Sequence, residues 1–314
     1  MDRRDFLKQS AAVALATAAP SIFAQEKKMQ TITLTNGVLK PVEMPILGFG
    51  TYQIPSDDAQ RCVEEAISVG YRLIDTAQAY GNEEGVGAAI KTALAGGIKR
   101  SELFIETKLW ISHANEKKAR EAFDASLKKL GVDYIDLYII HQPYNDIFGA
   151  WRVMSQLLNE GKIRAIGVSN FYPDVVTNFA MFNEVKPAIN QIELHPFFQK
   201  VDQQKVNEKW GVKVQSWASF AEGKNNLFKN EVLAQIGKPY GKTAAQVVLR
   251  CLIERGIVVI PKTVRRERMV ENFSVFDFAL SDADKKAIAA LDTNKTLFLD
   301  HREPEKVEYL ANIR

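Results

Sequence analysis

The stretches YRLID (71–75), LFIETK (103–108), YIDLYIIH (134–141), IRAIGVSN (163–170), PAINQ (187–191), VKVQSW (212–217) and IVVIPKT (257–263) decide the fold. Each is a short apolar run that ends in polar or titratable residues and leads into a helical stretch. Helical patterning follows near 57–68, 82–94, 115–130, 147–160, 173–183, 202–210, 242–255 and 281–291. Gly70, Gly131, Gly161, Gly211 and Gly256 stand where helix C-termini need a residue free to turn left-handed. Strand–helix alternation of this kind implies a parallel sheet. Eight such units predict a closed (β/α)8 TIM barrel, whose strand C-termini share one rim, where barrel enzymes keep their chemistry. Upstream, TITLTNG (31–37) and VEMPILGFG (42–50) predict a hairpin turning around Asn36-Gly37, placed to cover the barrel bottom.

The alternative is an open dinucleotide-binding sheet, which requires GxGxxG after its first strand. The first strand ends Gly48-Phe49-Gly50-Thr51-Tyr52 and has no third glycine. Gly85 and Gly87 fall inside a helical stretch and read as close packing. The chain has 314 residues, 46% hydrophobic and 25% charged, which suits one barrel with little left over. A net charge of +3 without a long basic stretch argues against nucleic-acid binding. The four histidines show no ligand spacing, so no metal is expected. Cys62 and Cys251 lie in separate amphipathic helices and read as buried free thiols. The longer connections at 142–146 and 218–230 lie on the strand C-terminal side, where functional loops are expected.

Four residues at or just past the strand ends can deliver the proton and orient the substrate in the reduction of a carbonyl. Such a reaction needs a hydride, which no side chain donates, and hence a cofactor. It also needs a proton for the oxygen. Tyr80 has that proton but is a poor acid near neutrality. Lys108 can favour its phenolate, and Asp75 can keep Lys108 charged. His141 can donate to the carbonyl oxygen and orient it. Trp217 offers a face for a nicotinamide ring. Ser169, Asn170 and Gln191 can bond its carboxamide.

From about residue 30 to 295 the chain resembles the aldo-keto reductases. The resemblance rests on GFGTYQ (48–53), GYRLIDTAQAYGNEEGVGAAI (70–90), ETKLW (106–110), LGVDYIDLYIIHQP (130–143), GKIRAIGVSNF (161–171), NQIELHP (190–196) and IPKTVRRERMVENF (260–273), all in family order. It implies an NADPH-dependent barrel that reduces aldehydes or ketones, with Tyr80 as acid, Lys108 and Asp75 tuning it, and His141 orienting the substrate. It further implies that Gly50 and Thr51 belong to the cofactor site. Lys262, Thr263 and Arg268 then hold the adenosine 2′-phosphate, with Glu271 and Asn272 near the adenine.

The chain also departs from the family. Gln142 follows His141 where many members have tryptophan, and His141-Gln142-Pro143 is similar to bacterial members resembling diketogluconate reductases. Trp217-Ala218-Ser219-Phe220 replaces the more frequent Tyr-Ser-Pro-Leu. The segment after 295 is short and is expected to add little to the pocket. Tyr52, Trp110, Tyr144 and Phe148 are its expected walls, and an aromatic wall implies broad specificity for small carbonyl compounds. A second reading, a slow-turnover NADP(H)-binding sensor or partner-binding protein on the same fold, remains open from the residues alone.

Residues 1–24 differ in kind from the body at 25–314. Arg3 and Arg4 precede Phe6, Leu7 and Lys8, and AAVALATAA (11–19) is apolar but too short for an ordinary bilayer span. This resembles a twin-arginine (Tat) export signal with cleavage after Ala24, and implies the Tat machinery as a partner and a periplasmic, folded product. The alternative is a plain N-terminal tail on a cytoplasmic protein. Cleavage removes Asp2, Arg3, Arg4, Asp5 and Lys8, leaving a net charge of +2. Replacing both arginines with lysine keeps charge and loses the guanidinium fork. Fractionation should then find the double variant in the cytoplasm and fully active; native protein that also stays there with residues 1–24 intact refutes the export reading.

Overall fold

The computed structural model describes residues 29–313; the export reading, on residues 1–24, lies outside them. The chain opens with an antiparallel hairpin, β1 (Thr31–Leu34) and β2 (Val42–Pro45), and goes directly into β3 (Gly48–Gly50). Strand and helix then alternate: α1 (Ser56–Val69), β4 (Leu73–Asp75), α2 (Glu83–Ala95), β5 (Phe104–Leu109), α3 (Ala119–Leu130), β6 (Ile135–Ile140) and α4 (Ile147–Asn159). Next come β7 (Ile163–Ser169), α5 (Pro173–Phe182), β8 (Ile189–Glu193), α6 (Val201–Lys209), β9 (Lys213–Trp217), α7 (Glu231–Gly237), α8 (Ala244–Glu254) and β10 (Val258–Val259). Three helices close the chain, α9 (Arg266–Phe273), α10 (Asp282–Ala289) and α11 (Pro304–Ala311).

Strands β3 to β10 pair in parallel in chain order, eight in all among the described residues. A parallel bridge between Leu47 and Val259 and a bond from Val259 N–H to Ile46 O (2.9 Å) bring the last strand back to the first. The expected (β/α)8 barrel is therefore the fold.

Side-chain alternation along each strand sorts the interior from the helix face. Ile74, Ile105, Ile140, Val168 and Val259 face outward and join the large core with the helices. Leu73, Phe104, Leu137, Ile139, Ala165, Ile189 and Val258 point inward and form an apolar lower layer. Leu34, Val42 and Met44 of the hairpin complete that layer, so the hairpin covers the barrel bottom as expected.

The turn between the hairpin strands differs from the expectation. Asn36-Gly37 is no two-residue turn, because residues 35–41 separate β1 from β2. Gly37 instead accepts from Ile166 N–H (2.8 Å) at φ +59°, and a Cβ there would lie 2.4 Å from Ile166 O. Asn36 donates to Trp210 O (2.7 Å). The Asn-Gly pair thus docks the loop onto the barrel rather than reversing the chain. Helices α7, α9 and α11 were not anticipated by the sequence pattern. Both cysteines are free and buried, and no helix among the described residues is long and apolar enough to cross a membrane.

Gly87 reads as a packing residue and is one. A Cβ there would lie 2.3 Å from Lys129 O, where α2 crosses the end of α3. Gly87→Ala should lower stability by about 1–3 kcal/mol through overpacking, despite a helix-propensity gain of roughly 1 kcal/mol. A fall in the urea-unfolding midpoint checks this; an unchanged or raised midpoint refutes it.

Candidate active site

Above the apolar layer the inward positions turn polar. Continuing each strand by two residues replaces Leu73 with Asp75, Phe104 with Glu106 and then Lys108, Ile139 with His141, and Ile189 with Gln191. Lys108 is fully buried. Its ammonium donates to Asp75 Oδ2 (2.5 Å), Thr76 O (2.8 Å) and Tyr80 Oη (3.2 Å), which uses all three of its protons. Tyr80 ends the short helical turn Gln78–Tyr80 after β4. Asn82 pins the next residues by donating to Thr51 O (2.9 Å) and Ile54 O (3.0 Å). Gln78 holds the other flank by accepting from Trp110 N–H (3.1 Å).

Electrostatics refine the expected role of Lys108. Burial pushes the Tyr80 phenol up, Lys108 pulls it down, and Asp75 and Glu106 add to the rise. The net direction is upward, not downward as the ammonium alone would have it, so Tyr80 keeps its proton at neutral pH. Burial works against the Lys108 ammonium, and Asp75, Tyr80 and Glu106 more than offset it. His141 is held well below the usual imidazole range, by burial first and then by Lys108 and His301. It is therefore a neutral ring with one N–H to donate. Its edge meets Tyr80 at 5.7 Å and Trp110 at 4.9 Å between ring centroids.

Tyr80 and His141 lie in a cavity of about 760 Å³ that runs along the rim to Lys262. Gly50, Tyr52, Asp75, Trp110, Ser169, Asn170, Gln191 and Trp217 line it as well. Asn170, at φ +62°, accepts from Trp217 Nε1 (2.8 Å) and donates to His141 O (3.2 Å). Ser169 donates to Gln191 O (2.9 Å). Thr51 is buried beneath Gly50 and donates to Asp75 O (2.9 Å), so it braces the wall rather than lining it. Lys262 at the end of the cavity and Arg268 beyond it are exposed, and neither is held in an ion pair among the described residues. Thr263 accepts from Arg265 N–H (3.2 Å), and α9 carries Arg268, Glu271 and the buried Asn272. Glu271 also accepts from Thr243 Oγ1 (2.5 Å). Amide groups and an indole at one end and exposed cations at the other match the chemistry of a phosphorylated dinucleotide.

Two expected walls are elsewhere. Phe148 sits on α4 and packs against Phe179 of α5 at 5.0 Å, because its helical position faces the core. Tyr144 lies behind the wall and donates to His301 O (2.6 Å). The segment after 295 is also more than a short tail. It returns over the rim, and Phe298, Leu299, His301, Tyr309, Leu310 and Ile313 line the cavity. Trp110 Nε1 donates to Ile313 O (3.0 Å). Glu193 anchors the start of this segment, accepting from Thr296 Oγ1 (2.6 Å), Leu297 N–H (3.0 Å) and the buried His195 (3.0 Å). Asn82, Glu106 and Glu193 lay in the quoted stretches without an assigned role. Their signal was polarity at inward positions of otherwise apolar strands or next to the Tyr80 turn.

Residues 46–293 match the signature of the Aldo/keto reductase family. The chain belongs to that family. Its members are NADP(H)-dependent oxidoreductases acting on carbonyl groups, and this chain is such an enzyme. It is 44% identical to the methylglyoxal reductase DkgA of Escherichia coli over 257 residues, 81% of this chain and 92% of that one. It is 40% identical to the glyoxal reductase of Bacillus subtilis over 267 residues, 84% and 94% of the two chains. Among solved structures, a Bombyx mori aldo-keto reductase in complex with NADP superposes with a TM-score of 0.81 at 31% identity, covering 89% of this chain and 97% of that one.

Proposed function

We propose that this enzyme reduces small aldehydes and ketones to alcohols with NADPH, and that Tyr80 delivers the proton. The observation that carries the reading is the buried Lys108 ammonium, bonded at once to Asp75 and to the Tyr80 hydroxyl beneath the cavity. The bound cofactor supplies the hydride that no side chain can. Trp217 would hold the nicotinamide by its face, and Ser169, Asn170 and Gln191 would hold the carboxamide. Lys262, Thr263 and Arg268 would take the 2′-phosphate, with Glu271 and Asn272 near the adenine.

The side chains divide the proton chemistry. His141, neutral, donates to the carbonyl oxygen and sets its position beside Tyr80. As negative charge grows on that oxygen, Tyr80 Oη gives it a proton. The phenolate left behind is 3.2 Å from the Lys108 ammonium, and this stabilisation exists only once the proton has moved. Asp75 keeps Lys108 charged throughout. Tyr52, Trp110 and the C-terminal segment exclude water. Methylglyoxal is the first substrate to try, given the names of the relatives. Export of the folded enzyme through residues 1–24 belongs to the same proposal, supported by Arg3 and Arg4 ahead of the apolar run.

Tyr80→Phe keeps the ring and removes the acid. Turnover should fall by about 10²–10⁴-fold, with NADPH affinity retained in a fluorescence titration; near-normal turnover removes Tyr80 from the mechanism. Arg268→Ala tests cofactor choice separately. Charge-assisted phosphate contacts are worth about 1.5–3 kcal/mol, so NADPH should bind roughly 10- to 100-fold more weakly and NADH about as before. Equal losses for both would make Arg268 a structural residue.

A further inference from the structure

Glu106 is fully buried inside the barrel, two residues before Lys108 on the same face of β5. It closes a triangle with two glutamines. Gln191 Nε2 donates to Glu106 Oε1 (3.0 Å) and to Gln215 Oε1 (3.0 Å). Gln215 Nε2 donates to Glu106 Oε2 (2.8 Å). Gln191 Nε2 also reaches Asp75 Oδ2 (3.1 Å), the oxygen that receives Lys108. Oxygen and nitrogen of a glutamine amide differ only in what they bond. Here every neighbour of the Gln191 nitrogen is an acceptor, and the Glu106 carboxyl is the one that fixes both glutamines. With its nitrogen turned into the barrel, Gln191 turns its carbonyl oxygen toward the cavity it lines.

We propose that Glu106 is a positioning residue: through this triangle it presents the Gln191 oxygen, and not the nitrogen, to the NH2 of the nicotinamide carboxamide. The proposal rests on the NADP(H) reading above and deepens it. The charge balance agrees. Asp75 and Glu106 face a single ammonium, Lys108. Burial pushes the Glu106 carboxyl well above the usual carboxylate range, Asp75 adds to that, and Lys108 opposes it. A protonated Glu106 leaves one carboxylate against one ammonium. Its O–H can be shared with Asp75 while both its oxygens still accept from the glutamines. A neutral amide of the same size is then its nearest mimic.

The test compares NADP+ with its 3-acetylpyridine analogue, in which a methyl group replaces the carboxamide NH2. Affinities are read by quenching of tryptophan fluorescence, independently of turnover. The wild type should prefer NADP+ by about 3- to 10-fold, one hydrogen bond's worth. Glu106→Leu should bring that ratio to about 1, with the analogue's own affinity changed by less than about twofold. Glu106→Gln should restore most of the preference. A Glu106→Leu protein that keeps the preference, or that weakens both ligands equally, overturns the proposal. If that variant does not fold, Gln215→Leu removes another corner of the triangle; a halved ratio supports the proposal and an unchanged one overturns it. Wild type that binds neither ligand refutes the NADP(H) reading itself, and the positioning role with it.

Discussion

Everything at the rim depends on the buried pair Lys108–Asp75. Taking two charges out of water costs several kcal/mol per ion, and the cost is recovered only when geometry is good and the remaining protons are bonded. Lys108 meets that condition through Asp75, Thr76 O and Tyr80 Oη. The constraint acts in both directions. Two strands, β4 and β5, and the Tyr80 turn must converge to satisfy one ammonium, and the ammonium in turn fixes the phenol at the cavity floor. Removing either partner would leave an unpaired buried charge, which typically costs about 3–5 kcal/mol. The phenol proposed to deliver the proton is thus positioned by the same contacts that make the neighbouring charge tolerable.

The barrel can host this pair because its interior is divided by height. Below, the inward side chains from Leu73 to Val258 are apolar and are sealed by Leu34, Val42 and Met44. One pleat higher they are Asp75, Glu106, Gln191 and Gln215, linked to one another by hydrogen bonds. The lower layer keeps water away from the charges from beneath. The upper layer gives nearly every buried polar group a partner, which is what a polar network in low dielectric requires. His141 Nδ1 has none among the described protein atoms.

What the sequence made legible follows from the same geometry. Strand alternation has a period of two, so a polar residue breaking an apolar run is visible, and its height in the barrel follows from its place at the run's end. Asp75, Lys108, His141 and Gln191 were legible on that ground. Phe148 was not, because an aromatic residue near the rim can face the cavity or the helix core, and the rotation of α4 decides between them. Tyr144 failed for a related reason, since its hydroxyl is engaged by His301 O. The path of the last segment carries no periodicity, and its return over the rim is set by long-range bonds such as Trp110 to Ile313. Asn36-Gly37 shows the converse error. A strong local turn signal was correct about the backbone, with Gly37 at φ +59°, and wrong about what the turn serves.

The roof of the cavity obeys a different rule from its floor. It consists of the loop after β9 and the segment after α10, and neither is a barrel element. Ala218, Ala221, Glu222, Asn225 and Asn226 all have positive φ between 48° and 55°, a conformation costly for residues with a Cβ. Such a backbone persists only when surrounding contacts over-determine it. Ala221 and Leu227 of the loop are buried in the large core, and further contacts come from the other half of the roof. Lys224 donates to Leu297 O (2.7 Å) and lies 3.7 Å from the centre of the Phe298 ring. Phe298 in turn packs on the edge of Trp217 at 5.4 Å, and Leu297 is anchored by Glu193 on β8. The strained loop on the proposed cofactor side is therefore held in part by the segment that walls the proposed substrate side. A change in the substrate wall cannot be confined to substrate, because Phe298 stands between Lys224 and the indole against which the nicotinamide would rest.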